Sequence, residues 1–394
     1  MRLAGIVCEC NPFHDGHRRL LRAAREDGCD VLLCVLSDPF VQRGEPALLD
    51  ARARAEALLL GGADAVLSLP YPYAAAGAEF FARAGVEILS RLGVGELWFG
   101  SECGDLSRLE RSAAIAASDG FARAYAATDP ARGRTAAFLD TLLSVGAPAE
   151  SFSSNDLLAL AYLLANRRLA HPLTPRTLRR EGSAYNDARL SPDALPSATA
   201  LRQAILAGIA PEEIAQLPPE SRQVLLPLLA SGEAPASWKN AERALLSMLR
   251  LADPERLDRT PELSGGLGRR ILAAAGEAES LEELFSRAAS KTYTDARVRR
   301  GILFALTGVT EEDLRATPAW TRLLAANAKG REHLSSLRRS EAIPVITKAS
   351  DLPGDPASLR AAELERRAYA IWSLCLPRVA TGGEFLRLPP RILK

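Results

Sequence analysis

His14 and His17, three residues apart, frame Asp15-Gly16 directly after the run Asn11-Pro12-Phe13. The short apolar stretch Leu3 to Val7 reads as a buried strand, Asn11-Pro12 is a turn signal, and a helical pattern begins at or just after Gly16. A pair of imidazoles therefore stands where a strand gives way to a helix. Such a place can receive a polyphosphate. Free helix amides and the positive end of the helix dipole favour anions, and Gly16, lacking a Cβ, lets the backbone approach them. The imidazoles can donate hydrogen bonds to oxygens whose charge grows during attack at phosphorus. One histidine here would read more simply as a cap or a satisfied core residue. Two of the four histidines of the chain in this context favour the phosphate site.

A second anion cradle is read further on. In Ser197-Ala198-Thr199-Ala200-Leu201-Arg202, small hydroxyl residues open a helix and Arg202 projects from its first turn. The bland alternative is a Ser/Thr cap with a solvated Arg. Between the two lies Ser37-Asp38-Pro39-Phe40-Val41-Gln42-Arg43-Gly44-Glu45-Pro46, a loop at the same sheet edge. Its Gln42 and Arg43 could reach a ligand, or it is a surface turn in which Arg43 pairs with Glu45. Trp98-Phe99-Gly100-Ser101-Glu102 could rest an adenine or ribose against exposed backbone, whereas Ser153-Ser154-Asn155-Asp156 reads foremost as a helix N-cap. Late in the chain, Arg287 and then Lys291, Tyr293, Arg297, Arg299 and Arg300 gather basic charge around an aromatic ring. A phosphate backbone and an unstacked base would suit that segment, although a charge run is commonly a solvated helix face.

The elements that must position these residues alternate. Apolar runs at Val31 to Leu36, Ala65 to Leu69 and Glu96 to Phe99 are separated by Ala/Arg/Leu-rich helical stretches near 17–27, 47–61, 76–92 and 106–117. Short buried strands between helices argue for an α/β fold, a Rossmann-like parallel sheet whose ligands bind beyond the carboxyl ends of the strands. Two more helices are expected near 130–145 and 155–170. Leu69-Pro70-Tyr71-Pro72-Tyr73 reads as a rigid connection. From about 207 the alternation stops, five prolines between Pro211 and Pro235 mark an interdomain stretch, and mainly helices are expected afterwards. The expected division is a catalytic unit at 1–206 and a mainly α-helical unit at 207–394. Ile343 to Lys348 is strand-like and offers no chemistry.

Bulk properties set limits. The chain has 394 residues, a net charge of +1 and 25% charged residues, so any nucleic-acid surface must be local. No secretory signal opens it and no apolar run is long enough to span a bilayer, which places it in the cytoplasm with no membrane partner. Six cysteines follow no Cys-x-x-Cys spacing, so buried thiols are expected rather than a metal knuckle. Cys8 and Cys10 are expected on opposite faces of an extended segment.

The motif His14-Asp15-Gly16-His17 resembles the first signature of the class I nucleotidyltransferase superfamily, His-x-Gly-His after the first strand. Ser197 to Arg202 resembles its second, Ser-Ser-Thr-x-x-Arg. The full series is more specific: Asn11 to His17, Gln42-Arg43-Gly44-Glu45-Pro46-Ala47, Phe99-Gly100-Ser101-Glu102, Ser154-Asn155, Arg180-x-Gly182-x-x-Tyr185-x-Asp187, Ser197-Ala198-Thr199-x-x-Arg202, Tyr293-Thr294-x-x-Arg297-x-x-Arg300 and Ile343-Pro344-x-Ile346-Thr347-Lys348. In that order it resembles the bacterial tRNA(Met) cytidine acetate ligase family. The resemblance implies a two-step use of ATP. Acetate attacks the α-phosphate, and the acetyl group passes to N4 of the wobble cytidine of elongator tRNA(Met).

It also implies an ATP site at Val7, Cys8, Glu9, Cys10, Asn11, Pro12, Phe13, His14, Asp15, Gly16, His17, Arg18, Arg19 and Leu20, with Gly100, Asn155 and Arg180. Ser197, Thr199 and Arg202 join as phosphate contacts by the superfamily pattern. His14 and His17 are the implied catalytic pair, Mg2+ the implied companion of ATP, and no protein metal site is expected. The basic segment Arg287 to Arg300 would hold the tRNA. Cys10 stands where the family pattern has Tyr, Asp15 where it commonly has Asn, and Ser37-Asp38-Pro39 where it has a Ser-Gly loop. The proline is expected to stiffen a loop that borders the acetate pocket. Two other readings are an adenylyltransferase of small metabolites and an RNA-binding protein that keeps ATP as a structural ligand.

Overall fold

The computed structural model describes residues 1–129, 133–148, 152–180, 197–214, 216–337, 342–382 and 388–393. Five strands, β1 (Leu3–Cys8), β2 (Val31–Ser37), β3 (Ala65–Leu69), β4 (Glu96–Ser101) and β5 (Thr174–Arg179), lie parallel in the order β5-β4-β1-β2-β3. From β1 the chain moves outward through β2 and β3, then returns to β4 on the other side of β1. The sheet therefore reverses its winding between β1 and β4, and a crevice opens there beyond their carboxyl ends.

Strand side chains divide with a period of two. Val7, Leu33 and Val35 pack against the helices Ala78–Arg91, Leu106–Ala116 and Ser154–Asn166, while Ile6, Leu32 and Cys34 face Asp15–Glu26, Ala51–Leu60 and Ala198–Leu206. The expected stretch 130–145 begins later, as Arg134–Ser144, preceded by a helix Asp119–Ala126 that the sequence reading lacked. Asp156 accepts from the Ser153 backbone N–H at 3.1 Å, so Ser153 and Asp156 form the expected N-cap of Ser154–Asn166.

The second half is mainly helical, as expected, and packs Leu249, Ile271, Phe304 and Trp372 into a core that Phe40 and Tyr71 of the first half also enter. The sheet nevertheless does not end with the first half. A sixth strand, β6 (Thr321–Ala326), is buried throughout and pairs antiparallel with β3; β7 (Val345–Ile346) and β8 (Arg391–Ile392) pair with β6 in turn. No strand at 321–326 was expected, because a short apolar run among helices carries no periodicity that separates strand from helix. Among the described residues no helix is long and apolar enough to cross a membrane.

One reading near β1 is corrected. β1 stops at Cys8, and Cys10 turns into left-handed backbone at φ 45°. Its thiol thereby meets that of Cys8, which also meets Cys34, instead of facing the other way. All six cysteines are free. Asp38 is fully buried, where its carboxylate accepts from Arg322 at 2.6 Å and from the Tyr369 hydroxyl at 2.6 Å. The Ser37-Asp38-Pro39 departure thus fastens the end of β2 to β6 and to the helix Pro356–Leu374.

Candidate active site

The loop from Glu9 to His14 leaves β1 and turns into the helix Asp15–Glu26. His14 is the N-cap, and its Nδ1 accepts the Gly16 backbone N–H at 2.9 Å. His17 reciprocates, accepting the His14 N–H on its own Nδ1 at 3.2 Å. The two ring centroids are 4.0 Å apart, and Phe13, buried, stacks on His17 at 5.8 Å. A Cβ on Gly16 would come within 2.6 Å of the His14 ring, so only glycine lets that ring lie over the first amide. Burial pushes the His14 imidazole well below its ordinary pKa, with His17 and Arg180 adding to the effect. Burial and the Arg180 guanidinium push His17 down to about 3. A neutral imidazole whose Nδ1 accepts a hydrogen bond carries its proton on Nε2. Both rings are therefore Nε2–H donors.

Gly100 and Arg180 meet at the carboxyl end of β4 and β5. A Cβ on Gly100 would lie 3.2 Å from Arg180 Cγ, and the Arg180 backbone N–H donates to the Ser101 carbonyl at 2.8 Å. Asn155 donates its side-chain amide to Glu102, which also accepts from Ser153. Gly100, Asn155 and Arg180 thus gather beside the β1–β4 crevice. The rest of the Arg180 to Asp187 motif lies outside the described residues.

The second cradle converges on the first. Ser197 is the buried N-cap of Ala198–Leu206, its hydroxyl accepting from Ala200 N–H at 3.0 Å, and Thr199 is half-buried in the first turn. Arg202 reaches back to the Asn11 carbonyl at 3.4 Å and pairs with Glu45 at 3.1 Å. Glu9 accepts from the Gln42 N–H at 2.7 Å, and burial raises its pKa. Asn11 Oδ1 accepts from Leu48 N–H at 2.8 Å, while its Nδ2 is buried without a partner, as is Nε2 of Gln42.

The other expected contacts lie along the same strand end, loop and helix. Val7 and Cys8 are core residues at the end of β1, Pro12 is buried, and Arg19 and Leu20 are half-buried. Asp15 and Glu220 both pair with Arg18, at 3.3 and 2.8 Å. Three residues escaped the sequence reading. Buried Arg54 donates to the carbonyls of Glu9 at 2.7 Å and Ser37 at 2.8 Å, and Ser221 and Glu220 hold Phe13 and Arg18. A lone Arg among alanines gives no signal of that role.

The basic segment is placed differently from its reading. Arg297, Arg299 and Arg300 have side chains only 12%, 21% and 14% exposed and pair with Glu262, Glu45 and Glu262. Arg297 also stacks on Tyr293, whose hydroxyl donates to the Gly265 carbonyl. Lys291 is exposed, and Arg287, half-exposed, pairs with Glu277 and Glu283. The partners of these three half-buried arginines lie far away in sequence, which is why the segment resembled a free charge run.

A doubly wound sheet with a His-Asp-Gly-His turn at its switch point is the architecture of a nucleotidyl transferase, and the family model described as HIGH Nucleotidyl Transferase matches residues 1–384. The tRNA(Met) cytidine acetate ligases of Acetivibrio thermocellus and Syntrophomonas wolfei are each 32% identical to the chain, over 98% and 99% of both partners. Crystal structures of Thermotoga maritima TmcAL superpose over the full length of both chains. The apo form does so at a TM-score of 0.90 and 29% identity, and the form bound with alpha-thio ATP at 0.89 and 30%. The chain belongs to the tRNA(Met) cytidine acetate ligase family.

Proposed function

We propose that this chain is an ATP-dependent ligase that activates acetate as acetyl-adenylate and acetylates N4 of the wobble cytidine in elongator tRNA(Met). The observation that carries it is the convergence of His14, His17, Arg180 and Arg202 on the crevice at β1 and β4, in a chain similar end to end to enzymes of that name. An acetate oxygen attacks the α-phosphorus, the bond to the bridging oxygen breaks, and pyrophosphate leaves. The N4 amine then attacks the acyl carbon and AMP departs with the bonding pair, while the amine gives up a proton.

No covalent enzyme intermediate is needed. The Nε2–H groups of His14 and His17 donate to the oxygens that gain charge, and removal of one such donor typically costs on the order of 100- to 1,000-fold in rate. Arg180 and Arg202 hold the polyphosphate from two sides, and Gly100 with Asn155 borders the nucleoside. Among the described residues no cluster of three His, Cys, Asp or Glu side chains could hold a metal ion. Mg2+, if carried by the triphosphate, would supply charge neutralisation there. Residues 1–206 carry this chemistry and the helices of 207–394 hold the RNA, with Arg287 and Lys291 toward its phosphates.

Purified protein with ATP and radiolabelled acetate, incubated with and without bulk tRNA, tests the proposal. Label in tRNA as N4-acetylcytidine is the expected result. Acetyl-adenylate formation without transfer would favour a small-molecule adenylyltransferase, and no acetate-dependent pyrophosphate release would overturn the proposal.

A further inference from the structure

Glu45 stands between two arginines from distant parts of the chain. Its Oε2 lies 3.1 Å from Arg202, in the helix whose N-terminus forms the second cradle, and its Oε1 accepts from Arg299 at 2.9 Å. Arg202 continues the line to the Asn11 carbonyl, in the loop that carries the histidines. The three side chains are only 13%, 20% and 21% exposed in the order Arg202, Glu45, Arg299, so the pairs are shielded from solvent.

The loop that bears Glu45 is built to be gripped from both sides. Val41 and Glu45 close it by a backbone hydrogen bond at 3.0 Å, and Gln42 N–H donates to Glu9. On its other side the Gln42 carbonyl accepts from Arg300 at 3.4 Å, and Gly44, at φ 70°, lies against the backbone of Arg299 and Arg300. A Cβ on Gly44 would stand 2.7 Å from Arg300 N, so only glycine permits that approach.

We infer that Glu45 is a positioning residue for nucleotide binding, held by Arg299 so that it fixes Arg202 toward the triphosphate. An unheld arginine has many rotamers, and a carboxylate that takes one edge of its fork leaves the remaining N–H groups pre-aimed. Arg299 consequently acts on ATP through Glu45, even though it lies in the segment whose composition suggests RNA. This inference rests on the nucleotide reading above.

The test measures alpha-thio ATP binding in the absence of acetate and tRNA, and the KM for ATP in acetate-dependent pyrophosphate release. A glutamine has one acceptor oxygen and can serve only one of the two guanidinium groups. Glu45→Gln is expected to weaken nucleotide binding and raise KM about three- to tenfold, with kcat largely kept. Arg299→Met should do the same while leaving tRNA retention and its salt dependence at wild-type values. The double variant should be no worse than either single one, because both remove the same link.

Partial unfolding would lower kcat and leave KM alone, and Glu45→Asp, which keeps the charge, should fall between wild type and Glu45→Gln. Tighter nucleotide binding by Glu45→Gln would overturn the inference, since Glu45 would then be masking Arg202. So would loss of tRNA retention in Arg299→Met with unchanged nucleotide affinity. Wild type that binds alpha-thio ATP but labels no tRNA would sink the ligase reading and leave the role of Glu45 standing.

Discussion

His14 and His17 each spend Nδ1 on a backbone amide, so neither can use that nitrogen on a phosphate. Their chemistry is that of neutral Nε2–H donors. Acetate-dependent pyrophosphate release is thus expected to show no histidine inflection between about pH 6 and 8. An inflection near 6.5 that disappears in His14→Gln would contradict this. Because both folded pKa values lie below the unfolded value of about 6.5, the pair contributes stability that is full above that pH and falls as the pH drops below it. The urea midpoint should decline from pH 7 to 5 less steeply in His17→Gln than in wild type. Gly16→Ala tests this packing, because its Cβ would evict the capping His14 ring. Pyrophosphate release should fall by about 100-fold, and loss of the cap, about 1 kcal/mol, should lower the urea midpoint as well. At this scale much was legible: two histidines, a glycine between them and a turn before them define a local arrangement within one short segment. Arg180 was reached through family resemblance alone, because nothing in its neighbours shows that β5 ends beside β4.

Elements carry the second lesson. The parallel strands β1 to β4 were legible because each is a short apolar run between amphipathic helices, and their ends place the site. β6 was not, since its partner β3 is some 250 residues earlier and antiparallel. The helix Asp295–Thr307 lies in the half expected to be mainly helical, but its use was not legible. Its arginines bind carboxylates of Glu45 and Glu262 that only the tertiary fold brings near. Gly44→Ala is a direct test of that docking. The left-handed backbone and the contact with Arg300 should together cost at least about 1–2 kcal/mol in urea unfolding. An unchanged midpoint would mean that the loop and the helix are not packed as described.

At the scale of the whole molecule, the two halves share one sheet and one buried charge cluster. Arg322 from β6 meets Asp38 from the end of β2 and Tyr369 from the helix Pro356–Leu374, the last at 2.9 Å. Glu365 in the same helix accepts the Tyr71 N–H at 2.6 Å, and burial holds its carboxyl well above the usual range. Removing one partner of a buried pair leaves the other charge stranded, so Asp38→Asn should lower unfolding stability by about 3–5 kcal/mol. Asp38→Leu combined with Arg322→Met should lose much less, since no charge remains unpaired. Equal losses in both would show that packing, not charge, joins the halves. The sequence read Asp38 as a residue of the pocket loop, because its partner lies 284 positions away.

The claim on which the rest depends is that the crevice at β1 and β4 activates a carboxylate with ATP. Acetate-dependent exchange of labelled pyrophosphate into ATP, in the absence of tRNA, measures this directly. Wild type should exchange only when acetate is present, and His17→Ala should lose at least about 100-fold while still retaining tRNA on a filter. Exchange by His17→Ala at the wild-type rate, or exchange indifferent to acetate, would contradict it.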